Sequence, residues 1–165
     1  MDPALLERAR RVRLLVLDVD GVLTDGRLHI TAQGEETKVF HVRDGSGIVA
    51  VQRAGIAVAI ISGRDSRAVT RRAEELGILH VRQGVTDKRA ALDALLQQLQ
   101  LTEDALACVG DDTPDLPMLE RAALAVAVAD AHPTARAAAH WITAAAGGHG
   151  AVREVCDLLL AARAS

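Results

Sequence analysis

The stretch Leu14-Leu15-Val16-Leu17-Asp18-Val19-Asp20-Gly21-Val22-Leu23-Thr24 decides the reading of the chain. Its four leading apolar residues make a strand buried on both faces, the kind found in parallel sheets covered by helices. Asp18 and Asp20 follow at the carboxyl end of that strand, where open α/β sheets bind their ligands. Gly21 then frees the backbone to turn away. Asp-x-Asp-Gly is also sound turn chemistry at a strand end, so the stretch alone predicts the strand and leaves the task of the carboxylates open.

Downstream, short apolar runs alternate with amphipathic ones. Strands are predicted at Leu14–Leu17, Ala57–Ile61, Ile78–Val81, Ala107–Val109 and Ala125–Val128, and helices at Gly47–Ala54, Asp65–Leu76, Lys88–Leu99, Leu116–Ala122 and Ala151–Ala162. Pro3–Arg13 reads as a short amphipathic helix. This βαβα rhythm predicts an α/β fold: a three-layer, Rossmann-like parallel sheet. Gly26–Val42 breaks the rhythm, with β-branched residues around Gln33-Gly34, and reads as a small β-hairpin insertion at about 26–42. The alanine-rich run Ala135–Ala146 is a candidate for mobility. Gly147-Gly148-His149-Gly150 reads as a flexible or tightly turned hinge opening a C-terminal tail at about 147–165. No linker or repeat divides the 165 residues, so 1–165 is expected to be a single domain.

Composition narrows the function. Aromatic residues make up 1% of the chain, which removes the stacking surfaces that hold single-stranded nucleic acid or sugar rings. A net charge of −3 lacks the basic excess that binding to a phosphate backbone requires. Only Lys38 and Lys88 are lysines; the other cations are arginines, which suit bidentate contact with carboxylate or phosphate, although genome-wide composition bias gives the same ratio. Cys108 and Cys156 lie in apolar contexts without metal-ligand spacing and read as buried thiols. With no apolar run long enough to span a membrane and no cleavable signal before the first strand, the expected location is cytoplasmic, with neither nucleic-acid nor membrane partners.

A second cluster gives the first one a task. Val109-Gly110-Asp111-Asp112-Thr113-Pro114-Asp115 again delivers carboxylates at the carboxyl end of an apolar strand. If both strands are central, the carboxylates converge on one sheet edge, and close like charges do not all stay ionised without a cation. Oxygen-only ligation beside a phosphate suits Mg²⁺. Asp112 and Asp115 are equally readable as helix N-caps or solvent-facing groups, which leaves Asp111 as the metal ligand of this cluster. Ser62-Gly63-Arg64, ending a third strand, offers a hydroxyl and free backbone N–H groups to an anion. Lys88, opening a helix after the fourth strand, can reach the same edge.

In this order, Asp18-Val19-Asp20-Gly21, Ser62, Lys88 and Gly110-Asp111-Asp112 with Asp115 resemble the four motifs of the haloacid dehalogenase superfamily of phosphohydrolases. More narrowly, Asp25-Gly26, Gly34-Glu35-Glu36, Phe40-His41-Val42-Arg43-Asp44-Gly45, Ala127-Val128-Ala129-Asp130-Ala131-His132-Pro133 and Gly147-Gly148-His149-Gly150-Ala151-Val152-Arg153-Glu154 resemble its phosphatases of 3-deoxy-D-manno-octulosonate 8-phosphate in lipopolysaccharide biosynthesis. The resemblance implies Asp18 as nucleophile and Asp20 as general acid–base. It implies Mg²⁺ on Asp18, the Asp20 carbonyl and Asp111, with Ser62 and Lys88 on the phosphoryl oxygens. For substrate contact it implies Asp20, His41, Val42, Arg43, Asp44, Gly45, Arg64, Arg72 and Lys88. Helical counting from Arg64 instead favours Arg71, about 20° off its face, over Arg72, about 80° off. Val49 and His149 depart from the basic residues frequent in relatives.

Asp18 and Ser62 are separated by 43 residues, and Arg64 and Lys88 by 23, which leaves no room for a cap domain at either position. The expected cover is another subunit, in a homotetramer assembled through the hairpins, with the glycine hinge and Arg153 carrying the tail over a neighbour's site. Rival readings are a phosphatase for another sugar-acid phosphate, such as a nonulosonate 9-phosphate, and a non-catalytic oligomerisation module. A response-regulator receiver fits less well, because its acceptor aspartate has no partner two residues on.

Overall fold

Every residue of Leu14–Leu17 is buried, and the strand they form, β1, lies in the middle of a six-stranded sheet. The structure, a computed structural model, describes residues 2–164. Met1 and Ser165, the outermost residues of the expected domain, lie outside the described residues. In chain order the elements are α1 (Pro3–Arg11), β1 (Leu14–Leu17), β2 (His29–Ile30), β3 (Glu36–Thr37), α2 (Val42–Arg53), β4 (Ala57–Ile61), α3 (Arg67–Leu76) and β5 (His80–Arg82). There follow α4 (Lys88–Leu99), β6 (Leu106–Gly110), α5 (Leu116–Leu119), β7 (Leu124–Ala127), α6 (Pro133–Ala138), β8 (Trp141–Ile142) and α7 (Ala151–Ala164).

The sheet runs β5-β4-β1-β6-β7-β8 with every pair parallel. Leu17 is level with Ile60 on β4 and with Val109 on β6. The residues that follow these strands therefore leave the sheet side by side along one edge. Right-handed crossovers put α2 and α3 on one face and α4, α5 and α6 on the other, and α7 packs on α2 and α1. The expected α/β three-layer sheet is present, with a two-stranded antiparallel hairpin, β2–β3, inserted after β1.

Local differences from the sequence reading have physical causes. Helix α2 begins at Val42 rather than Gly47, because His41 caps it, its Nδ1 accepting from the Arg43 N–H at 3.1 Å. Glycine at 45 and 47 weakens a helix locally, yet a Cβ at Gly47 would sit 2.9 Å from Cys156 Cβ on α7. The close approach of α2 and α7 outweighs the propensity. Strand β5 starts at His80, two residues late, and Ile78 is buried in the turn before it. The alanine-rich run holds the end of α6 and a strand the sequence reading missed, β8, in register with β7.

Gly147-Gly148 is a tight turn rather than a swinging hinge. A side chain on Gly147 would overlap the Gly21 carbonyl, and one on Gly148 would lie 2.5 Å from the Asp25 nitrogen, so the turn is pressed against the loop after β1. Helix α7 then buries Val152, Val155, Cys156 and Leu159 within its own chain. Those apolar side chains have their core at home, so the body of α7 stays with its own chain. Both cysteines are free and buried, and burial holds both thiols protonated, that of Cys156 pushed up to about 12. Among the described residues no helix is long and apolar enough to cross a membrane.

Candidate active site

Asp18 is the first residue beyond β1 and is 5% exposed. Its backbone N–H still donates to Val109 O at 3.2 Å, so the sheet fixes its position. The side chain meets Lys88, the first residue of α4, whose Nζ donates to Asp18 Oδ1 at 2.7 Å and to Asp115 Oδ1 at 2.7 Å. Asp87 caps that helix by accepting from the Ala90 N–H at 3.0 Å, which sets where Lys88 enters the site. Burial pulls the ammonium pKa of Lys88 down, and the two carboxylates more than reverse this, so Lys88 stays charged.

Asp115, whose role the sequence left open, is the hub of the second cluster. It is 1% exposed; beyond Lys88 it accepts from the backbone N–H of Asp111 at 2.9 Å and of Asp112 at 3.3 Å. Gly110 is required beneath it, since a Cβ there would lie 2.6 Å from Asp115 Cβ. Asp112 faces solvent and caps the short turn Thr113–Asp115, accepting from the Thr113 N–H at 2.7 Å. Asp111 reaches across to the loop after β1, where its carboxylate occupies the place a side chain on Gly21 would take.

Carboxylate oxygens of Asp18, Asp111 and Asp115 lie within 4.8 Å of one another. Burial first, then repulsion from Asp115, raises the Asp18 pKa to about 6 despite Lys88. Burial and repulsion from Asp18, Asp115 and Asp112 push Asp111 up to about 8. Such a donor set fits a hard divalent cation, which would offset this repulsion. Both oxygens of Asp115 are already engaged, so Asp18 and Asp111 are the side chains left to serve as ligands.

Asp20 stands beside this centre, 21% exposed, and binds Lys38 through Oδ1 and Arg64 Nε through Oδ2 at 3.6 Å. Ser62, 2% exposed, ends the neighbouring strand edge; its N–H donates to Arg82 O at 2.9 Å, and its carbonyl accepts from Val85 at 3.0 Å. An open cleft of ≈ 190 Å³ gathers Asp18, Asp20, Ser62, Arg64, Lys88 and Asp111.

The remaining candidates lie elsewhere in the chain. His41, Asp44, Gly45 and Arg72 line a separate, mainly apolar pocket between α2 and α3. Asp44 is 1% exposed and spends Oδ1 on the Arg153 N–H at 2.8 Å, which ties the start of α2 to the first turn of α7; burial raises its pKa. Val42 and Arg43 point to solvent. Arg72 packs over Gly45 and pairs with Glu75 at 2.7 Å, whereas Arg71 is exposed. Helical counting from Arg64 misled because α3 begins only at Arg67, leaving Arg64 off its helical register. His149 closes the glycine turn, its Nδ1 2.7 Å from Gly147 O.

Two residues that the sequence reading gave no place in the site pair with residues of the cleft: Lys38, whose side chain is 2% exposed, with Asp20, and Glu36 with Arg64. Their signal was present. Glu36, Lys38 and Phe40 turn inward while Thr37 and Val39 turn out, the period of an extended strand.

Comparison with known proteins agrees with this geometry. Residues 74–155 match the model of the haloacid dehalogenase-like hydrolases. The chain is 48% identical, over 99% of its length and 87% of the relative, to the 3-deoxy-D-manno-octulosonate 8-phosphate phosphatase KdsC of Salmonella typhimurium. The crystal structure of the phosphatase of that name from Yersinia pestis superposes with a TM-score of 0.98 at 47% identity, covering 99% of this chain and 89% of that one. The enzyme of the same name from Moraxella catarrhalis, solved in complex with magnesium ion, phosphate ion and a KDO molecule, gives 0.95 at 43% identity over 97% and 92%. With near-complete coverage at such identity, and with the paired carboxylates and lysine meeting at one sheet edge, the chain belongs to the 3-deoxy-D-manno-octulosonate 8-phosphate phosphatase family, phosphomonoester hydrolases of the haloacid dehalogenase-like kind.

Proposed function

We propose that this chain hydrolyses 3-deoxy-D-manno-octulosonate 8-phosphate to the free sugar acid and inorganic phosphate, a step of lipopolysaccharide biosynthesis, through a phosphorylated Asp18. The observation that carries this reading is the buried Asp18 carboxylate, held by Lys88 at the sheet edge with Asp20 facing the same cleft. An Asp18 oxygen attacks phosphorus while the bond to the sugar oxygen breaks, and Asp20 gives that oxygen its proton. Asp20, now a carboxylate, takes a proton from water as the water oxygen attacks phosphorus and releases Asp18. Lys88 and the Ser62 hydroxyl hold the phosphoryl oxygens, and Asp115 keeps Lys88 aimed at them. Asp18, Asp111 and the Asp20 carbonyl would hold Mg²⁺, which when bound offsets charge between nucleophile and phosphate.

His41, Val42, Arg43, Asp44, Gly45 and Arg72 lie outside the cleft of their own chain, so a role for them in binding substrate requires a second subunit. Leu28, Ile30 and Val39 expose 49%, 60% and 64% of their surface on or beside the hairpin, apolar area suited to a homotetramer contact. A fully active monomer in analytical ultracentrifugation would remove that element. The free, buried cysteines suit a cytoplasmic location.

The test is phosphate release from a panel of sugar phosphates with Mg²⁺ and with EDTA. Preference for the octulosonate ester is expected; preference for a nonulosonate 9-phosphate would move the assignment to that substrate. Equal turnover of unrelated sugar phosphates would end the sugar-acid reading.

Metal binding has its own signature in stability. Asp18 and Asp111 have folded pKa values raised above the ordinary 3.8, so between pH 4 and 8 these two groups bind more protons in the folded chain than in the unfolded one. Their contribution to the stability of the metal-free protein then falls as pH rises through this window. Mg²⁺ at about 100 times its Kd adds ~2.7 kcal/mol, a rise of about 5–10 °C in Tm. In differential scanning fluorimetry at one fixed Mg²⁺ concentration the gain is expected to be larger at pH 8 than at pH 5, where protons compete for the same oxygens; an equal gain at both would argue against ligation by these carboxylates.

A further inference from the structure

Lys38 is the less expected of the two lysines. It follows a two-residue strand on a surface hairpin, yet its side chain is 2% exposed. A lysine so enclosed needs compensation for lost hydration, and it finds two carboxylates: Asp20 Oδ1 in direct contact and Glu36 Oε1 at 3.1 Å. Glu36 in turn holds Arg64, and Arg64 Nε lies 3.6 Å from Asp20 Oδ2. Each oxygen of Asp20 thus faces one cation, and Glu36 braces both. The cations differ in what they can fix. The Arg64 side chain is 48% exposed and meets Asp20 only at 3.6 Å, whereas Lys38 is enclosed and in direct contact with it.

We infer that Lys38, braced by Glu36, is a positioning residue that sets the rotamer of Asp20, so that the hairpin aims the general acid at the departing sugar oxygen. The inference rests on the Asp20 role given above. Lys38 touches neither Asp18 nor Lys88 in any hydrogen bond or ion pair of the described residues, which separates its task from phosphate binding. Proton donation tolerates little misplacement, because the acid must sit within hydrogen-bond reach of the leaving oxygen.

The test compares two esters. A sugar phosphate leaves as an alkoxide and needs a proton; p-nitrophenyl phosphate leaves as a stable phenolate and does not. Because kcat/KM reports events up to formation of phosphorylated Asp18, it leaves out the later hydrolysis, in which Asp20 acts as base on either ester. Lys38→Met is expected to lower kcat/KM for the sugar phosphate about 100-fold and for p-nitrophenyl phosphate less than about 5-fold. Lys38→Arg should recover at least about tenfold of the loss. Glu36→Gln preserves the shape of the hairpin and should show the same selectivity at about tenfold, which decides the matter if Lys38→Met fails to fold by circular dichroism. Equal losses on both esters, or full sugar-phosphate turnover in the folded variants, would overturn the inference. A wild-type protein that hydrolyses sugar phosphates other than the octulosonate ester would refute the substrate assignment alone, and the comparison could be run on whichever ester it accepts.

Discussion

Asp18→Asn is expected to lower kcat for the sugar phosphate by at least about 10⁴-fold, because an amide does not attack phosphorus and no other carboxylate stands in its place. The substitution keeps the shape of the residue and an oxygen able to accept from Lys88, so the cleft should survive. The folded state should lose little, since the variant also relieves the repulsion that raises Asp18 and Asp111. Single-turnover measurements at saturating Mg²⁺ would locate the loss in phosphoryl transfer rather than in binding. Activity within tenfold of wild type would displace Asp18 as the nucleophile.

Lys88→Met carries the largest expected change in stability. Lys88 is 7% exposed and neutralises two buried carboxylates at 2.7 Å each. Removing the cation strands Asp18 and Asp115 without a partner, a change that costs about 3–5 kcal/mol in comparable buried pairs. For a chain of this size that corresponds to a Tm lower by roughly 6–20 °C. The folded pKa of Lys88 is raised, so its stabilisation is fully present below the unfolded value of 10.5 and is lost only as pH climbs through the folded value above it. Across pH 5–9 Lys88 itself therefore stays charged, while Asp18, raised to about 6, takes up its proton toward the acid end of that range. In the variant the stranded carboxylates can escape by taking up protons, so the deficit is expected to be smaller at pH 5 than at pH 8. Urea denaturation at the two pH values measures it; a deficit under about 1 kcal/mol at pH 8 would show that the pair is not the keystone of the site.

The two variants also separate the tasks of neighbouring groups. Loss of activity with the fold intact marks the atom that reacts. Loss of fold and activity together marks the atom that holds others in place. Asp115 belongs to the second kind: it binds Lys88 and the two backbone N–H groups at 111 and 112, and its neighbour Gly110 has no room for a side chain.

Much of this was legible in one dimension. Leu14–Leu17, Ala57–Ile61 and the core of β6 announced themselves as continuous apolar runs that stop at Asp18, at Ser62-Gly63 and at Gly110-Asp111, as strands buried on both faces do. The residues Asp18, Asp20, Ser62, Lys88 and Asp111 were legible for a related reason: parallel strands all end on one edge, so chemistry written after each strand must converge. Less visible were β8, hidden in an alanine-rich run, and the first turn of α2, whose glycines argue locally against a helix. Both exist through packing against β7 and α7, which propensity does not see.

What the sequence by itself determined was the order of strands and helices and the identity of the groups delivered to the edge, since both follow from local periodicity. Tertiary structure alone decided which of those groups touch. It made Asp115 a hub that holds Lys88 besides completing the capping box with Asp112, and it separated His41–Gly45 and Arg72 from the cleft. It also buried Lys38 against Asp20 across 18 residues of chain. The physical reason is that a charge has no periodicity: its partner is set by the three-dimensional path of the backbone and by the cost of leaving it unpaired away from water.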